Sequence, residues 1–484
     1  MGFRRLVDFL ERLDQAGELA RVESNVLPAL EAAEIVRRAA LQDGPAVCFG
    51  SLEGCHVPLV ANLLGSERRI RLALEVDTLD QVVARIDALL HPQQAEGWFE
   101  RLKTPPYVAA MESLPPRVVR SGACQQVVRL GSDVDLERLP MLQAAADEPR
   151  GSMTGAILFT ADPASGRLVT GRCPLERVDR TRLVARLDDH DEMARLVGEY
   201  ARRQQAMPLA AVLGGDPLLA LAASMPSSPG ADACRLAALL REKPLDVVKC
   251  RSVELEVPAE AELVLEGHIE PAEPWCEAGP LATATGYYRP AGRGPIVHLT
   301  AMTERANPVV QALVAGPPPN EESVMRQTLA RILLPVARLS IAGLVDYDLR
   351  PAGASRHVAV MAIEKRYAGQ AHSAVHAAWG SHWLRFVRLM TVVDAEVDVR
   401  DPVAVERAVA AHFDPARDLI VGSGPPDPMD PAARGDAMPQ RLALDATRKL
   451  PGEGARVTAQ AAVAGEVIAR KVTARWPEYK LGSK

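Results

Sequence analysis

Three places in the chain combine residue types that can do acid, base or anion chemistry. Arg172 closes the short run Gly166-Arg167-Leu168-Val169-Thr170-Gly171-Arg172, which reads as a strand and is followed by Cys173-Pro174. A guanidinium fixed there can hold a carboxylate through two hydrogen bonds and keep a nearby acid ionised. His190 stands in Asp188-Asp189-His190-Asp191-Glu192, at a helix start, and an imidazole nitrogen suits Mn, Fe or Zn. Glu277 lies in Trp275-Cys276-Glu277-Ala278-Gly279-Pro280-Leu281-Ala282-Thr283-Ala284-Thr285-Gly286-Tyr287-Tyr288, a Gly/Pro-punctuated loop running into a strand start. Each also has a plainer reading: a surface arginine in an ion pair, an exposed histidine among solvated acids, a solvated loop carboxylate. Leu213-Gly214-Gly215-Asp216 lacks the GxGxxG spacing of a dinucleotide fingerprint.

The elements that must position these residues fall into three stretches. Residues 4–22 carry Leu6, Phe9, Leu10 and Leu13 at helical spacing, and a second helix is expected at 30–42. Ala46–Phe49 and Val57–Ala61 read as short buried strands, with helices near 67–75 and 78–91. The Pro-rich stretch 104–116 reads as a linker. This makes an N-terminal α/β unit over 1–116. Over 117–316 many short β-type runs follow one another: Gln126–Leu130, Gly155–Thr160, Leu209–Leu213, Val253–Val257, Ala261–Glu266, Ile296–Met302 and Val309–Val314. Helices are expected at about 180–205 and 231–241. Many short strands with turn punctuation predict a β-barrel or sandwich. Over 317–484 apolar strands (Val358–Ile363, Met390–Asp394, Asp418–Val421) alternate with helices at Ser373–Trp379 and Pro402–His412. That layout predicts a second α/β unit with a mostly parallel sheet. The segment 423–438 is too rich in Pro for regular structure.

The composition bounds the function. With 484 residues, 48% hydrophobic and 24% charged, the chain has the make-up of a soluble globular protein of several domains. A net charge of −6 without a basic block argues against nucleic acid as a partner. No run of about 18 apolar residues occurs, so no membrane span is expected. The N-terminus carries acids within its apolar pattern and reads as an amphipathic helix rather than a signal peptide. The seven cysteines have no CxxC or metal-type spacing, so free thiols in a reducing cytoplasm are expected.

Several stretches, in this order, resemble the UbiD family of prenylated-FMN-dependent decarboxylases: Asp133–Pro140, Leu213-Gly214-Gly215-Asp216-Pro217, Ala223-Ser224-Met225-Pro226, Lys243–Cys250, Val257–Gly267, Thr285-Gly286-Tyr287-Tyr288 and Glu364–Gly369. The resemblance extends over most of the chain. It implies an α/β (α+β multi-domain) fold: an N-terminal α/β unit, a central split β-barrel of flavin-reductase type, and a C-terminal α/β unit that dimerises. Dimers of such proteins often assemble into hexamers. The implied reaction is reversible, non-oxidative decarboxylation of an aromatic or α,β-unsaturated carboxylic acid. The cofactor, prenylated FMN, comes from a flavin prenyltransferase.

By the same resemblance, Arg167, Thr170, Arg172, His190, Ser224, Met225, Pro226 and Arg441 bind the cofactor, and Ser224-Met225-Pro226 wraps it, with a monovalent cation (K) possible. Arg172 belongs to a Glu–Arg–Glu network, and His190 ligates a divalent metal (Mn or Fe) that holds the cofactor phosphate. Arg441 takes the place of a phosphate-reaching Lys. Two departures follow. The metal's Asn and Glu ligands fall on Arg167 and Ala233, with Asp232 beside the latter. The positive charge of Arg167 could instead meet the phosphate directly. The two catalytic glutamates fall on Ala278 and Thr283; Glu277 is one place early and reaches the site only through a bulge. A hydroxyl such as that of Thr283 is far too weak an acid to replace a carboxylic acid. Three readings stay open: a UbiD-like (de)carboxylase with an altered acid/base set, Arg172 and Glu277 its catalytic residues; a non-catalytic UbiD-like subunit; or a flavin-binding protein of another reaction class.

Overall fold

Leu6, Phe9, Leu10 and Leu13 are the residues that the first helix, Leu6–Gln15, buries, as their spacing demands. The computed structural model describes residues 2–55, 57–90, 114–225, 232–432, 438–454, 462 and 464–479; the expected linker lies, up to residue 113, outside them. The helix expected over 4–22 stops early. Gly17 turns the chain at φ +69°, and Leu19–Val22 becomes a strand parallel to Ala46–Phe49. Leu59–Ala61 joins antiparallel, and Val310–Gln311, from far along the chain, closes this sheet in parallel with Leu59–Ala61. Helices Glu31–Leu41, Glu67–Leu74 and Leu79–Leu90 accompany it.

Arg117–Val118, Asp246–Lys249 and Glu256–Pro258 form a small three-stranded sheet, the last in place of the strand expected over Val253–Val257, and the main sheet of the middle of the chain is antiparallel. Its path runs Ser152–Met153, Leu175–Arg177, Arg182–Ala185, Ile296–Glu304, Leu263–Ile269, Met207–Leu213, Ile157–Ala161 and Leu168–Arg172, with Val127–Leu130 also on Ile296–Glu304. The two end strands do not pair, so the sheet is a curled half-barrel rather than a closed one. Both faces are covered. Along Met207–Leu213, Ala210 and Val212 join a core with the N-terminal helices, while Leu209, Ala211 and Leu213 face a second core with Met193, Leu196 and Val197. A strand buried on both faces reads as a continuous apolar run rather than an alternating one. The single helix expected over 180–205 is in fact a strand, Arg182–Ala185, a loop, and a shorter helix, Glu192–Arg202. Two helices missing from the sequence reading, Pro217–Ala223 and Glu321–Ile332, pack in the first core.

The C-terminal stretch builds a five-stranded sheet in the order Leu344–Leu349, Val358–Ile363, Leu389–Asp394, Gln440–Asp445 and Leu419–Ser423. Its two inner pairings are parallel and its two outer ones antiparallel. The sheet is therefore half parallel, not mostly parallel, because both edge strands return directly onto their neighbours. Helices Gln370–Gly380 and Pro402–His412 accompany it. All seven cysteines are free thiols. Among the described residues, no helix is long and apolar enough to cross a membrane.

Candidate active site

Arg172 occupies the last position of the strand Leu168–Arg172, paired with Ile157. Its Nη1 donates to Ser224 Oγ at 2.6 Å, and its Nη2 lies 3.8 Å from Glu322 Oε2. Ser224 stands just past the helix Pro217–Ala223, which Asp216 caps by accepting from Leu218 N. The Ser224 hydroxyl spends its own proton on Ala220 O, at 3.0 Å, and so offers its lone pair to Arg172. Two positions back on the strand, Thr170 Oγ1 accepts from Ala233 N at 2.7 Å. This bond ties the start of the helix Ala233–Arg241 to the barrel.

These groups open onto a cavity of about 220 Å³. Thr170, Arg172, His190, Ser224 and Met225 all line it, so the fold brings together five residues proposed from sequence. The wall carries six arginines (Arg172, Arg186, Arg289, Arg326, Arg356, Arg385) against four carboxylates (Asp188, Asp191, Glu192, Glu322). Most of the guanidinium groups are engaged. Arg186 donates to the carbonyls of Gly279 and Pro290 at 2.7 and 2.9 Å. Arg289 meets Asp188 at 2.6 Å, Arg326 meets Glu322 at 2.7 Å, and Arg356 pairs with Asp427. Arg385 is different: its Nη1 lies 3.1 Å from His382 Nδ1, and no carboxylate pairs with it among the described residues. The Nε atoms of Arg172 and Arg385 are buried without a hydrogen-bond partner among the described residues. With six guanidinium groups against four carboxylates, the wall carries an excess of positive charge that favours an anionic ligand.

His190 sits in the loop before Glu192–Arg202, its ring 4.7 Å from that of Phe386. Arg356 and Arg385 both lie against the Phe386 ring, at 4.3 and 4.8 Å. Burial, then Arg385 and Arg356, push the imidazole down to about 4, so it is neutral near pH 7. Burial raises Asp188 to about 6, against the pull of Arg289. The donor atoms of Asp188, His190 and Asp191 lie within 4.8 Å of one another. This set differs from the Asn–His–Glu set implied by resemblance. Arg167 pairs with Glu192 at 3.5 Å, and Asp232 caps its own helix by accepting from Arg235 N at 2.9 Å. Neither residue lines the cavity. The metal centre implied by resemblance therefore does not fit the residues at those two positions.

The loop 275–288 pairs Cys276–Ala278 with Gly292–Gly294 and Leu281–Ala282 with Tyr288–Arg289, and other elements hold it. Gly279 N donates to Glu176 Oε2 at 3.1 Å, Ala282 N to Glu148 Oε1 at 3.3 Å, and Asn320 Nδ2 to Ala284 O at 2.8 Å. Gly286, at φ +82°, lies so close to Pro317 that a Cβ would fall 2.8 Å from its Cα; only glycine fits this turn. Within the strand Cys276–Ala278, Glu277 faces solvent and Ala278 is buried, as strand alternation requires. Glu277 is 83% exposed and lies 3.4 Å from Arg293 on the facing strand. No bulge turns it inward, and it lies outside the cavity wall. Thr283 does line the cavity, its hydroxyl bonded to Thr285 Oγ1 and Tyr287 O at 2.7 and 2.9 Å.

Arg441 is buried on the strand Gln440–Asp445, against Gly424, and is not among the cavity residues. Pro226 lies outside the described residues. The sequence reading missed Glu322 and Arg326. Their signal was present: Asn320 and Ser323 form a capping box that starts a helix directly after Pro317-Pro318-Pro319, and Glu322 and Arg326 stand one helical turn apart.

Three family models match in succession: the 3-octaprenyl-4-hydroxybenzoate carboxy-lyase N-terminal domain at residues 10–89, the Rift-related domain at 117–318 and the C-terminal domain at 323–446. A protein of Archaeoglobus fulgidus is 32% identical over 483 residues, covering 99% of both chains. In fold, the chain is similar to vanillic acid decarboxylase of Sedimentibacter hydroxybenzoicus in its closed form (TM-score 0.88, 23% identity, 100% of both chains). It is also similar to the UbiD-class enzyme HmfF of Pelotomaculum thermopropionicum in complex with FMN (TM-score 0.76, 28% identity, 96% of this chain and 98% of that one). An evolved dimeric form of HmfF in complex with prFMN gives a TM-score of 0.74 at 27% identity, over 94% and 97% of the two chains. With its three matched domains in register and a relative similar end to end, the chain belongs to the UbiD family of carboxy-lyases.

Proposed function

We propose that the chain is a decarboxylase that holds prenylated FMN in the arginine-rich cavity and acts on an aromatic or α,β-unsaturated carboxylic acid. The observation that carries this is the convergence of Thr170, Arg172, His190, Ser224 and Met225 on one cavity whose guanidinium groups exceed its carboxylates. The residues fit an anionic cofactor: the cavity lining holds six guanidinium groups against four carboxylates, and Arg385 has no carboxylate partner among the described residues. Arg172, Ser224, Met225 and Arg385 would hold it, together with neutral His190. When bound, the prenylated flavin supplies the electron sink that no amino-acid side chain offers. The protein orients the substrate carboxylate on Arg172, keeps water away with Leu281, Leu313 and Met193, and handles one proton.

The reading includes a flavin-reductase-type kinship of the half-barrel, a homodimer or hexamer, a flavin prenyltransferase as cofactor supplier and a cytoplasmic location. The dimeric form of HmfF supports the dimer. The test is co-expression with a flavin prenyltransferase. A bound modified flavin in the absorbance spectrum, with CO2 release from a panel of aromatic and unsaturated acids, is expected. One observation favours a second reading, a non-catalytic subunit: within the loop 275–288, Thr283 stands where the family has a cavity carboxylate, and Glu277 faces solvent. A colourless protein that co-purifies with another family member would establish that reading instead.

A further inference from the structure

The loop that should supply a proton offers no carboxylate to the cavity, yet Arg172 has one in reach. Glu322 comes from the first turn of the helix Glu321–Ile332, an element unrelated to the loop. It lines the cavity, with Oε2 3.8 Å from Arg172 Nη2 and Oε1 2.7 Å from Arg326 Nη2. The other carboxylates of the wall are committed elsewhere. Asp188 is bound to Arg289, Asp191 accepts from Asp188 N at 3.1 Å, and Glu192 is shared by Arg195 and Arg167.

We infer that Glu322 delivers the proton to the carbon from which CO2 departs, replacing the absent loop acids with a carboxylate from a helix. The inference rests on the decarboxylase reading above. Among the described residues, the cations that act most on Glu322 are Arg326 on its own helix, Arg172 on the half-barrel strand and Arg356 in the C-terminal stretch. Burial alone would raise its carboxyl, but Arg326 and Arg172 outweigh burial and hold it at about 2. Without substrate, Glu322 is a carboxylate. A substrate carboxylate bound to Arg172 takes up one of its two nearest cations and adds a negative charge beside it. Both changes favour the protonated form, and Glu322 takes a proton from solvent. The C–C bond to the carboxylate then breaks, and CO2 leaves without a proton. The electron pair remains with the substrate carbon, which takes the Glu322 proton. One carboxylate and one proton become one C–H bond and one CO2, with no oxidant or reductant consumed.

The test does not depend on turnover. The full chain loaded with plain FMN is titrated with benzoate by calorimetry, near neutral pH, in buffers of different ionisation enthalpy. About one proton taken up per benzoate is expected for the native protein and for Glu322→Asp, and none for Glu322→Gln. Equal uptake in Glu322→Gln would overturn the inference. Absence of benzoate binding to the native protein would also overturn it, by removing Arg172 as the carboxylate receiver. The double variant Glu322→Gln/Arg326→Met removes the guanidinium that the first change deprives of its 2.7 Å carboxylate partner, so a folding defect in the single variant does not block the measurement. In protein loaded with prenylated flavin, Glu322→Gln should lose about 10²–10⁴-fold in turnover. An inactive native protein counts against the decarboxylase reading, and this inference falls with it. An active native protein with an equally active Glu322→Gln counts against Glu322 alone.

Discussion

The loop 275–288 and the helix Glu321–Ile332 meet at the same cavity, and they present their acids in opposite ways. The loop carries the residues by which the chain is recognised, but strand alternation turns Glu277 to solvent and leaves Thr283 as its polar cavity side chain. The helix shows no such recognisable run, yet its first turn puts one glutamate into the cavity and its neighbour into the core. Glu322 is held ionised by Arg326 and Arg172 despite burial, while burial pushes Glu321 up to about 7, only partly offset by Leu64 N and Arg69. Two adjacent carboxylates thus differ because helical spacing points them about 100° apart, one into close pairing with Arg326 and the other into a buried site where burial outweighs its cations. Residue identity at a position decides less than the direction in which the backbone aims the side chain.

Four further changes test this contrast. Arg172→Met should be the most damaging, since it removes the group proposed to receive substrate and one of the two cations beside Glu322; a loss of about 10³-fold or more in kcat/KM is expected in steady-state assays. Thr283→Glu in the Glu322→Gln background should return about tenfold of the lost turnover, by giving the loop the acid it lacks; no recovery would mean that the loop cannot aim a carboxylate at the substrate. Glu321→Gln should act on stability and its pH dependence. With a folded-state pKa of about 7, raised from its unfolded value, Glu321 contributes stability that is fully present below about pH 4.5 and lost as pH rises through about 7. That loss amounts to about 3 kcal/mol in the native protein, and denaturant melts across this window should show it vanish in the variant. Glu277→Gln should do least: an exposed pair with Arg293 contributes little, so activity should stay within about twofold and stability within about 0.5 kcal/mol.

How much of this was legible beforehand depended on periodicity. The helix Pro402–His412 could be read to the residue, because Asp401 caps it and Pro402 opens it. The strand Leu168–Arg172 and the convergence of Arg172, Ser224 and Met225 followed from ordered stretches, each weak alone. The segment 180–205 misled because Arg182–Ala185 and Glu192–Arg202 are both apolar enough to read as one helix; the loop that separates them holds the cluster around His190. Glu277 was placed one residue from an expected acid, and in a strand one residue is the difference between core and solvent. Arg441 was expected at the cofactor and lies buried against Gly424 instead. Glu322 escaped because its partners, Arg172 and Arg326, are joined to it only by tertiary folding and by a helix whose cap followed three prolines.

The short strand Val310–Gln311 makes the chain's three stretches hard to exchange. It completes the N-terminal sheet beside Leu59–Ala61, and the residues just after it, Leu313, Val314 and Ala315, line the cavity. The chain then turns through Asn320, which anchors the loop at Ala284 and starts the helix bearing Glu322. A gene fusion that replaced the first hundred residues with those of a relative would therefore have to bring a matching strand from two hundred residues downstream. A relative that mismatched there would carry its misfit directly into the cavity wall. Recombination among members of this family should accordingly spare boundaries that separate Leu59–Ala61 from Val310–Gln311, and circularly permuted or split versions should not tolerate a cut between residues 309 and 321.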